Sequence, residues 1–536
     1  MEHAKEASAL QQPFLPPSTM DWRGRPAHGH LGGWKCAYCI LGTGMLCYFA
    51  LYGVLFNLVI FLTQNGESNA AAAATVATVC GTQFLCSFLG AFLSDAFLGF
   101  INIPSSVDKG SSSLFLTTSL YMMAIMTGSL SPNLLTLGVD QLDSKDNEMY
   151  FQSVAVAVSV SQLLAATVVT YIDNAGMWVW GLGLCVVSSL SSLMLFAGSL
   201  RWIRHRQASG NAFLRNTQVL VAALRKHRLA VPKDSALLHE YKGDVSAIPG
   251  CRKLPHTCTL SFLDKAAVLE VADTCSCWRL CTVTQVEELK SLLRVIPAGI
   301  SLAFVSLSVT QISTLFEEQA VLMDRHFGAS FVAPAASLNV LSIVSSILTG
   351  LVTAAGGRAR LSRWCFGRVK HTPTQRASPL FVIGISLIGS IIVMVISALV
   401  ESHRLNAAHQ GILISVLWIV PQTVLLGVAL NLSMASSVAF FYSEIFDSMR
   451  SVGGCIGLVF CGLGSYLNSI LVSVVTTITT HGGRPGWIAS DLDKGHADYF
   501  YGFLASFLAL GPGFHIAYAR AYTYMERICE YGNERA

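Results

Sequence analysis

The stretch GTGMLCYFALYG, Gly42 to Gly53, runs without a charge or a histidine inside an apolar segment that reads as a membrane span over 37–63. A helix needs about 20 apolar residues to cross the hydrocarbon of a bilayer. Ten more runs of that kind follow, near 70–96, 112–138, 149–172, 177–199, 291–315, 331–354, 379–400, 411–438, 452–479 and 499–522. A helix on a soluble protein alternates polar and apolar faces at a period of 3.6; these runs are apolar all round. Composition agrees: of 536 residues 53% are hydrophobic and only 12% charged, with mean hydropathy +0.54, whereas soluble domains carry about 25% charged residues. The sequence specifies an all-α membrane protein whose first partner is the lipid bilayer. A net charge of +4 is too small to indicate a nucleic-acid partner.

The basic residues orient the chain, because Lys and Arg concentrate in cytosolic loops. Residues 1–35 read as a cytosolic tail, Pro-rich and without the apolar core of a signal peptide. Residues 36–200 read as an N-terminal membrane bundle, 201–290 as a cytosolic central loop, 291–525 as a C-terminal bundle and 526–536 as a second cytosolic tail. The loop carries Arg201, Arg204, Arg206, Arg215, Arg225, Lys226 and Arg228, and its segment LRNTQVLVAALRKHRL has the pattern of an amphipathic helix on the membrane surface. In the second half the basic stretch 358–376 and the segment at Arg450 fall on the cytosolic side as the rule asks. The first half does not close. Five spans that start in the cytosol end outside, which puts the basic loop on the wrong face. Parity asks for one more span before residue 200, and FINIPSSVDKGSSSL, Phe100 to Leu114, is too short and too polar to supply it.

Several segments carry a resemblance: MDWRGRPAHGHLGGW from Met20, AAAATVATVCGTQFLCSFLGAFLSDAFLG from Ala71, LPHTCTLSFLDKAA from Leu254, WRLCTVTQVEELKSLLRVIP from Trp278, STLFEEQAVLMDRHFG from Ser313 and GGRPGWIASDLDKGHADYFYGFLA from Gly482. Nearly end to end, the chain resembles the plant nitrate/peptide transporter family, the plant branch of the proton-dependent oligopeptide transporters within the major facilitator superfamily. RKHRLAVPKDSALLHEY, 225–241, is similar to the subgroup with dual-affinity nitrate transporters. The resemblance implies two six-helix bundles, a cytosolic central loop, and a small solute, nitrate or another small metabolite, bound near the midplane and released by alternating access. It also locates the parity break. After FLSDAFLGF the chain goes almost directly to the segment of the family's fourth helix, so about eleven helices are expected, with the third of the usual twelve missing.

The resemblance also marks what the opening stretch lacks. The family's helix-1 motif Glu-x-x-Glu-Arg falls on Gly44, Cys47 and Tyr48. A helix-4 Lys falls on Ser131, a helix-10 Glu on Leu430, and the helix-7 His that holds an anion in the nitrate subgroup on Val309, with Ser313 one turn later. Proton coupling needs an intramembrane group that binds and releases H⁺, and a buried anion needs a positive partner or several donors. Proton coupling is therefore doubtful by this reading. The expected function is a transporter without the standard proton site; the alternative is a transport-inactive homologue acting as a sensor or regulatory partner, or a truncated product without a role. The plasma membrane is the expected location, with the vacuolar membrane as the alternative.

Polar groups do remain in the apolar helices: Tyr52, Asn57, Gln162, Gln311, Asn431 and Asn468. Such residues bind substrate, or they tie helices together by hydrogen bonds. Tyr52, Asn57, Gln311, Ser313 and Asn431 are the candidates for substrate contact. Glu317 and Glu318 follow helix 7 and read as a solvated outer rim. Asp95, at the cytosolic end of helix 2, matches a gate position whose basic partner is replaced by Phe100. Asp140 and Asp143, in DQLD, read as structural. The CxxC of Cys36 and Cys39 and the cluster Cys275, Cys277 and Cys281 lack the partners of a redox or zinc site. No P-loop, nucleophile, metal or cofactor motif stands out, so neither an enzyme nor a cofactor is expected.

Overall fold

The computed structural model describes residues 19–20 and 31–522, except 97–111, 143–145, 207–211, 233, 235–236, 242–245, 249–252, 270–275, 328–330, 354–377, 447–448 and 481–484. The basic stretch 358–376, Phe100, Asp143, Cys275 and most of both tails therefore lie outside the described residues.

In the N-terminal part the helices are α1 (Trp34–Gln64), α2 (Asn69–Ala96), α3 (Ser112–Asp140), α4 (Asn147–Leu164) and α5 (Trp178–Ser199). A π-turn over Ala165–Val169 and a short helix over Thr170–Asn174 prolong α4. The loop helix α6 (Ala212–Arg225) follows. The C-terminal part holds α7 (Val283–Thr310), α8 (Leu315–Val321), α9 (Asn339–Val352), α10 (Pro379–Ala408), α11 (Val420–Glu444), α12 (Arg450–Thr479), α13 (Ala497–Leu508) and α14 (Leu510–Ala521). Among the described residues eleven stretches are long and apolar enough to cross a membrane, matching the eleven runs read from the sequence. The only strands among the described residues are two pairs of two-residue pieces.

Side-chain contacts fix the helix directions. The Ser188 hydroxyl on α5 donates to the Leu46 carbonyl and Ser192 to the Thr43 carbonyl, so α1 and α5 are antiparallel. Leu134 on α3 packs with Ile40, and Leu120 and Ala124 with Leu58 and Leu62, so α1 and α3 are antiparallel too. The start of α1 and the ends of α3 and α5 meet: the Gly33 amide donates to the Gln141 carbonyl, the Gly32 amide to the Trp202 carbonyl, and the Arg204 guanidinium to the Asp140 carbonyl. This is the basic end, which the placement of Lys and Arg assigns to the cytosol. Asp140, read as structural, lies at that junction.

The unusual pair is α2 and α3. The Thr78 and Tyr121 hydroxyls lie 2.9 Å apart, and the Ser129 hydroxyl donates to the Cys86 carbonyl at 3.2 Å. Both contacts have nearly the same sequence offset, so the two helices run parallel although they are consecutive. Gly128 lets them touch: a Cβ there would fall 1.9 Å from the Gln83 carbonyl oxygen. On this register Ser112 lies level with Asn69, so the end of α2 and the start of α3 stand about 40 Å apart at 1.5 Å per residue. Alternation by odd numbers of spans is thereby broken at the point where parity broke in the sequence. Across the two parts, α12 lies antiparallel against α2, with Thr82 and Tyr466 hydroxyls 2.5 Å apart and the Ser469 hydroxyl donating to the Ala74 carbonyl.

The parallel register predicts a crosslinking pattern. In a background depleted of other cysteines, Thr78→Cys with Tyr121→Cys, and native Cys86 with Ser129→Cys, should both crosslink under oxidation. Thr78→Cys with Ser129→Cys should not. The reverse pattern would mean an antiparallel pair.

Candidate functional site

The neutral positions on α1 converge on α3. Cys47, Tyr48, Thr127, Leu130, Ser131 and Leu134 enclose a cavity of about 10 Å³, room for a single water. Tyr48 and Ser131 face this cavity together, the Ser131 hydroxyl donating to the Thr127 carbonyl at 2.8 Å, and Gly44 lies against Leu134 and Tyr48. The sites where the resembling family carries carboxylates and a lysine thus do face one another, with hydroxyls and a thiol in place of charge. Further along α1, Tyr48, Tyr52 and Phe56 form a stacked column with centroids 6.3 and 5.3 Å apart.

The other candidates separate. The fully buried Gln311 donates from Nε2 to Asn468 Oδ1 at 2.7 Å, so two residues singled out independently tie the 3-10 turn after α7 to α12. Val309 packs in the core beside them, and Ser313 is half-buried in the same turn. Asn431 and Leu430 lie half-buried on α11, Asn431 beside Gly350 of α9. Asn57 Nδ2 donates to Asp173 Oδ2 at 2.9 Å beyond the α4 π-turn. Asp95 falls in the last turn of α2.

One expectation is overturned. Glu317 and Glu318, read as a solvated rim, are buried, 1% and 6% exposed. The reason is length: the sixth apolar run reads as ending at 315, but its helical path continues through Val321, carrying both carboxylates inward on α8. Asn339 Nδ2 donates to Glu317 Oε1 at 2.7 Å, while Glu317 Oε2 and both Glu318 oxygens have no hydrogen-bond partner. Nearby Gln422 Nε2 reaches Gln319 Oε1 at 3.4 Å, and Gln319 Nε2, Gln422 Oε1 and the Tyr501 hydroxyl are also unpartnered. No Lys, Arg or His among the described residues pairs with either acid. Farther out, Arg404 holds Glu401 in a bidentate pair and reaches Asp493. The run of polar residues EEQ at a span end was the signal available in the sequence; it was discounted because span ends are usually wet.

At the start of α7, Lys290 is fully buried and its ammonium bridges Asp264 Oδ1 at 2.7 Å and Glu287 Oε1 at 2.9 Å. Arg294 reaches Glu287, His256 reaches Asp264, and the Thr257 hydroxyl donates to Glu287. Carboxylates and an imidazole gather here as they do around metals, but the ammonium already occupies the position between the two acids. This network fastens the LPHT…FLDKAA turn to the start of α7. Beside it α6 buries Val219, Ala222 and Ala223 on the Ser261–Ala267 turn and leaves Leu214, Leu220 and Leu224 exposed. Burial pushes the Cys281 thiol up to about 12, so it stays protonated.

Among the described residues, eleven helical stretches long and apolar enough to cross a membrane define a multi-pass membrane protein. The POT family model matches residues 82–488. Protein NRT1/ PTR FAMILY 8.1 of Arabidopsis thaliana is 33% identical over 95% of this chain and 97% of its own length, and NRT1/ PTR FAMILY 7.1 of the same plant is 32% identical over 91% and 85%. The fold matches the crystal structure of an auto-inhibited POT family peptide transporter, with TM-score 0.63, 17% identity, and 91% and 97% of the two chains covered. It also matches a POT family transporter in complex with 5-aminolevulinic acid, with TM-score 0.59, 10% identity, and 92% and 98% covered. The chain belongs to the POT family.

The Lys290 network yields a stability prediction. Lys290→Met leaves Asp264 and Glu287 buried with the ammonium gone, a loss of about 3–5 kcal/mol for a broken buried pair. The purified protein should unfold at a clearly lower temperature; an unchanged transition would mean the network carries no load.

Proposed function

We propose that this chain is a carrier that moves a small neutral or cationic solute by alternating access, with protonation of the Glu317–Glu318 pair coupling the movement to acid. The observation that carries this reading is the pair itself: two adjacent buried carboxylates with three unpartnered oxygens. Two like charges so close in low dielectric oppose joint ionisation, so one proton is exchanged readily when the site gains or loses water. This supplies the titratable group that α1 lacks and revises the doubt about coupling drawn from Gly44, Cys47 and Tyr48. Nitrate fits less well. The buried cations among the described residues, Lys226, Lys290 and Arg404, already hold oxygens of the loop, of Asp264 and Glu287, and of Glu401 and Asp493. A plasma membrane facing an acidic exterior suits this mechanism; a vacuolar membrane reverses its direction.

A second reading has its own observation. The parallel α2–α3 pair leaves residues 97–111 to link ends on opposite faces of the bilayer, and a product unable to do so in lipid would insert poorly and carry no flux. That is the transport-inactive alternative.

Uptake of dipeptides, nitrate and small amines in expressing cells separates the two. The carrier reading predicts uptake of an uncharged or amine-bearing solute that rises as the exterior is acidified, and loss of that rise in Glu317→Gln and Glu318→Gln with the protein still at the membrane. Acid stimulation that survives both substitutions would overturn the coupling; normal insertion with no uptake of any probe would favour the inactive reading.

A further inference from the structure

A second buried acid lies apart from the Glu317–Glu318 pair. Asp173 is 4% exposed, and its Oδ2 accepts from Asn57 Nδ2 at 2.9 Å. Its Oδ1 has no hydrogen-bond partner and sits against Gly181 on α5, where a Cβ would come within 1.9 Å of it. No Lys, Arg or His among the described residues pairs with this carboxylate. The π-turn at Ala165–Val169 shifts the phase of the helix just before it, and π-turns recur at functional sites.

Asp173 borders a cavity of about 100 Å³. Asn57 and Ile60 of α1 form one wall, the Trp178 indole at the start of α5 another, and Pro334 and Ala336, in the segment leading into α9, the third. Phe61 holds the indole edge-on, with ring centroids 5.2 Å apart. The cavity therefore joins the N-terminal helices to the C-terminal ones, and it lies at the end of the bundle opposite the Gly33–Gln141–Trp202 junction, the outer end.

We propose that this cavity is an outer capture site for a small organic ammonium group, placed so that a solute is held here before it enters the bundle. The proposal rests on the reading of a neutral or cationic cargo and names the cationic class. An uncompensated buried carboxylate favours a cation. Trp178, in a lining it shares with Asn57, Gln64, Thr170 and Asn174, favours an alkylammonium over a hydrated inorganic ion, because an ammonium beside an indole gains a cation–π attraction that strengthens with desolvation. The volume admits a methylammonium or ethylammonium head and excludes a large side chain. The two walls come from parts that move relative to each other in alternating access, so the site is made and unmade by the transport cycle.

The test uses the full-length protein in lipid nanodiscs, titrated with methylammonium chloride and read by tryptophan fluorescence, with sodium chloride as the matched control. A saturable change is expected in the unsubstituted protein and in the Glu317→Gln/Glu318→Gln variant, so that failure of the coupling reading leaves this result standing. Trp178→Phe should remove the signal. Asp173→Asn, which keeps the shape and the Asn57 contact, should weaken binding roughly tenfold or more, the equivalent of 1.4 kcal/mol or above. Ile60→Phe, which fills the cavity and leaves the acid alone, should block binding as well. No saturable change, an Asp173→Asn midpoint equal to that of the unsubstituted protein, or an equal response to sodium would overturn the proposal.

Discussion

Everything in the N-terminal part depends on the close parallel packing of α2 against α3. The Gln83 carbonyl against Gly128 and the paired Thr78 and Tyr121 hydroxyls hold two consecutive helices in the same direction. Once they are so held, α1, α4 and α5 take their orientations by contact, and the start of α1, the end of α3 and the end of α5 all reach the basic face. The constraint lies between the two helices. Fifteen residues wound as helix cover about 22 Å, less than the roughly 30 Å of hydrocarbon, and an extended chain would carry unpaired N–H and C=O groups into lipid. The tertiary packing and the lipid solvent make opposing demands on the same link.

The polar economy of the membrane region follows a different logic. Where the resembling family concentrates charge on helix 1, this chain has the neutral Gly44, Cys47 and Tyr48, with Cys47, Tyr48 and Ser131 around one small cavity. Elsewhere buried polar groups pair across helices and turns: Gln311 Nε2 with Asn468 Oδ1, and Lys290 with Asp264 and Glu287. The exceptions are therefore informative. Unpartnered oxygens on Glu317, Glu318 and Asp173 sit at a cost of several kcal/mol per ion in low dielectric, a cost removed by a proton or a cation. Buried acids are present in the bundle on α8 and in the short helix Thr170–Asn174.

Much of this was legible in the sequence. Eleven runs of the right length gave eleven helices, because a bilayer demands long uninterrupted apolar segments whatever packs beside them. The break in parity was legible too, since Lys and Arg placement is a property of loops and not of contacts, and the parallel α2–α3 pair stands at that break. What failed was burial at a span end. Glu317 and Glu318 look alike in sequence whether the helix stops at Ser313 or continues past a 3-10 turn, and only the contact with Asn339 on α9 shows that it continues inward. Asn57 was singled out by its residue type alone; its partner Asp173 was not, because an acid two residues before a Gly-containing turn reads as a loop cap. The Lys290 network was hidden in the same way, its members being spread from His256 to Arg294.

The sidedness of the N-terminus relative to the central loop tests the central claim most directly. Epitopes placed before Trp34 and in the loop between Arg201 and Lys290 can be scored in intact expressing cells and again after permeabilisation. The parallel α2–α3 arrangement predicts that both are reached only after permeabilisation. One epitope reached from outside while the other stays protected would show eleven strictly alternating crossings and contradict the account.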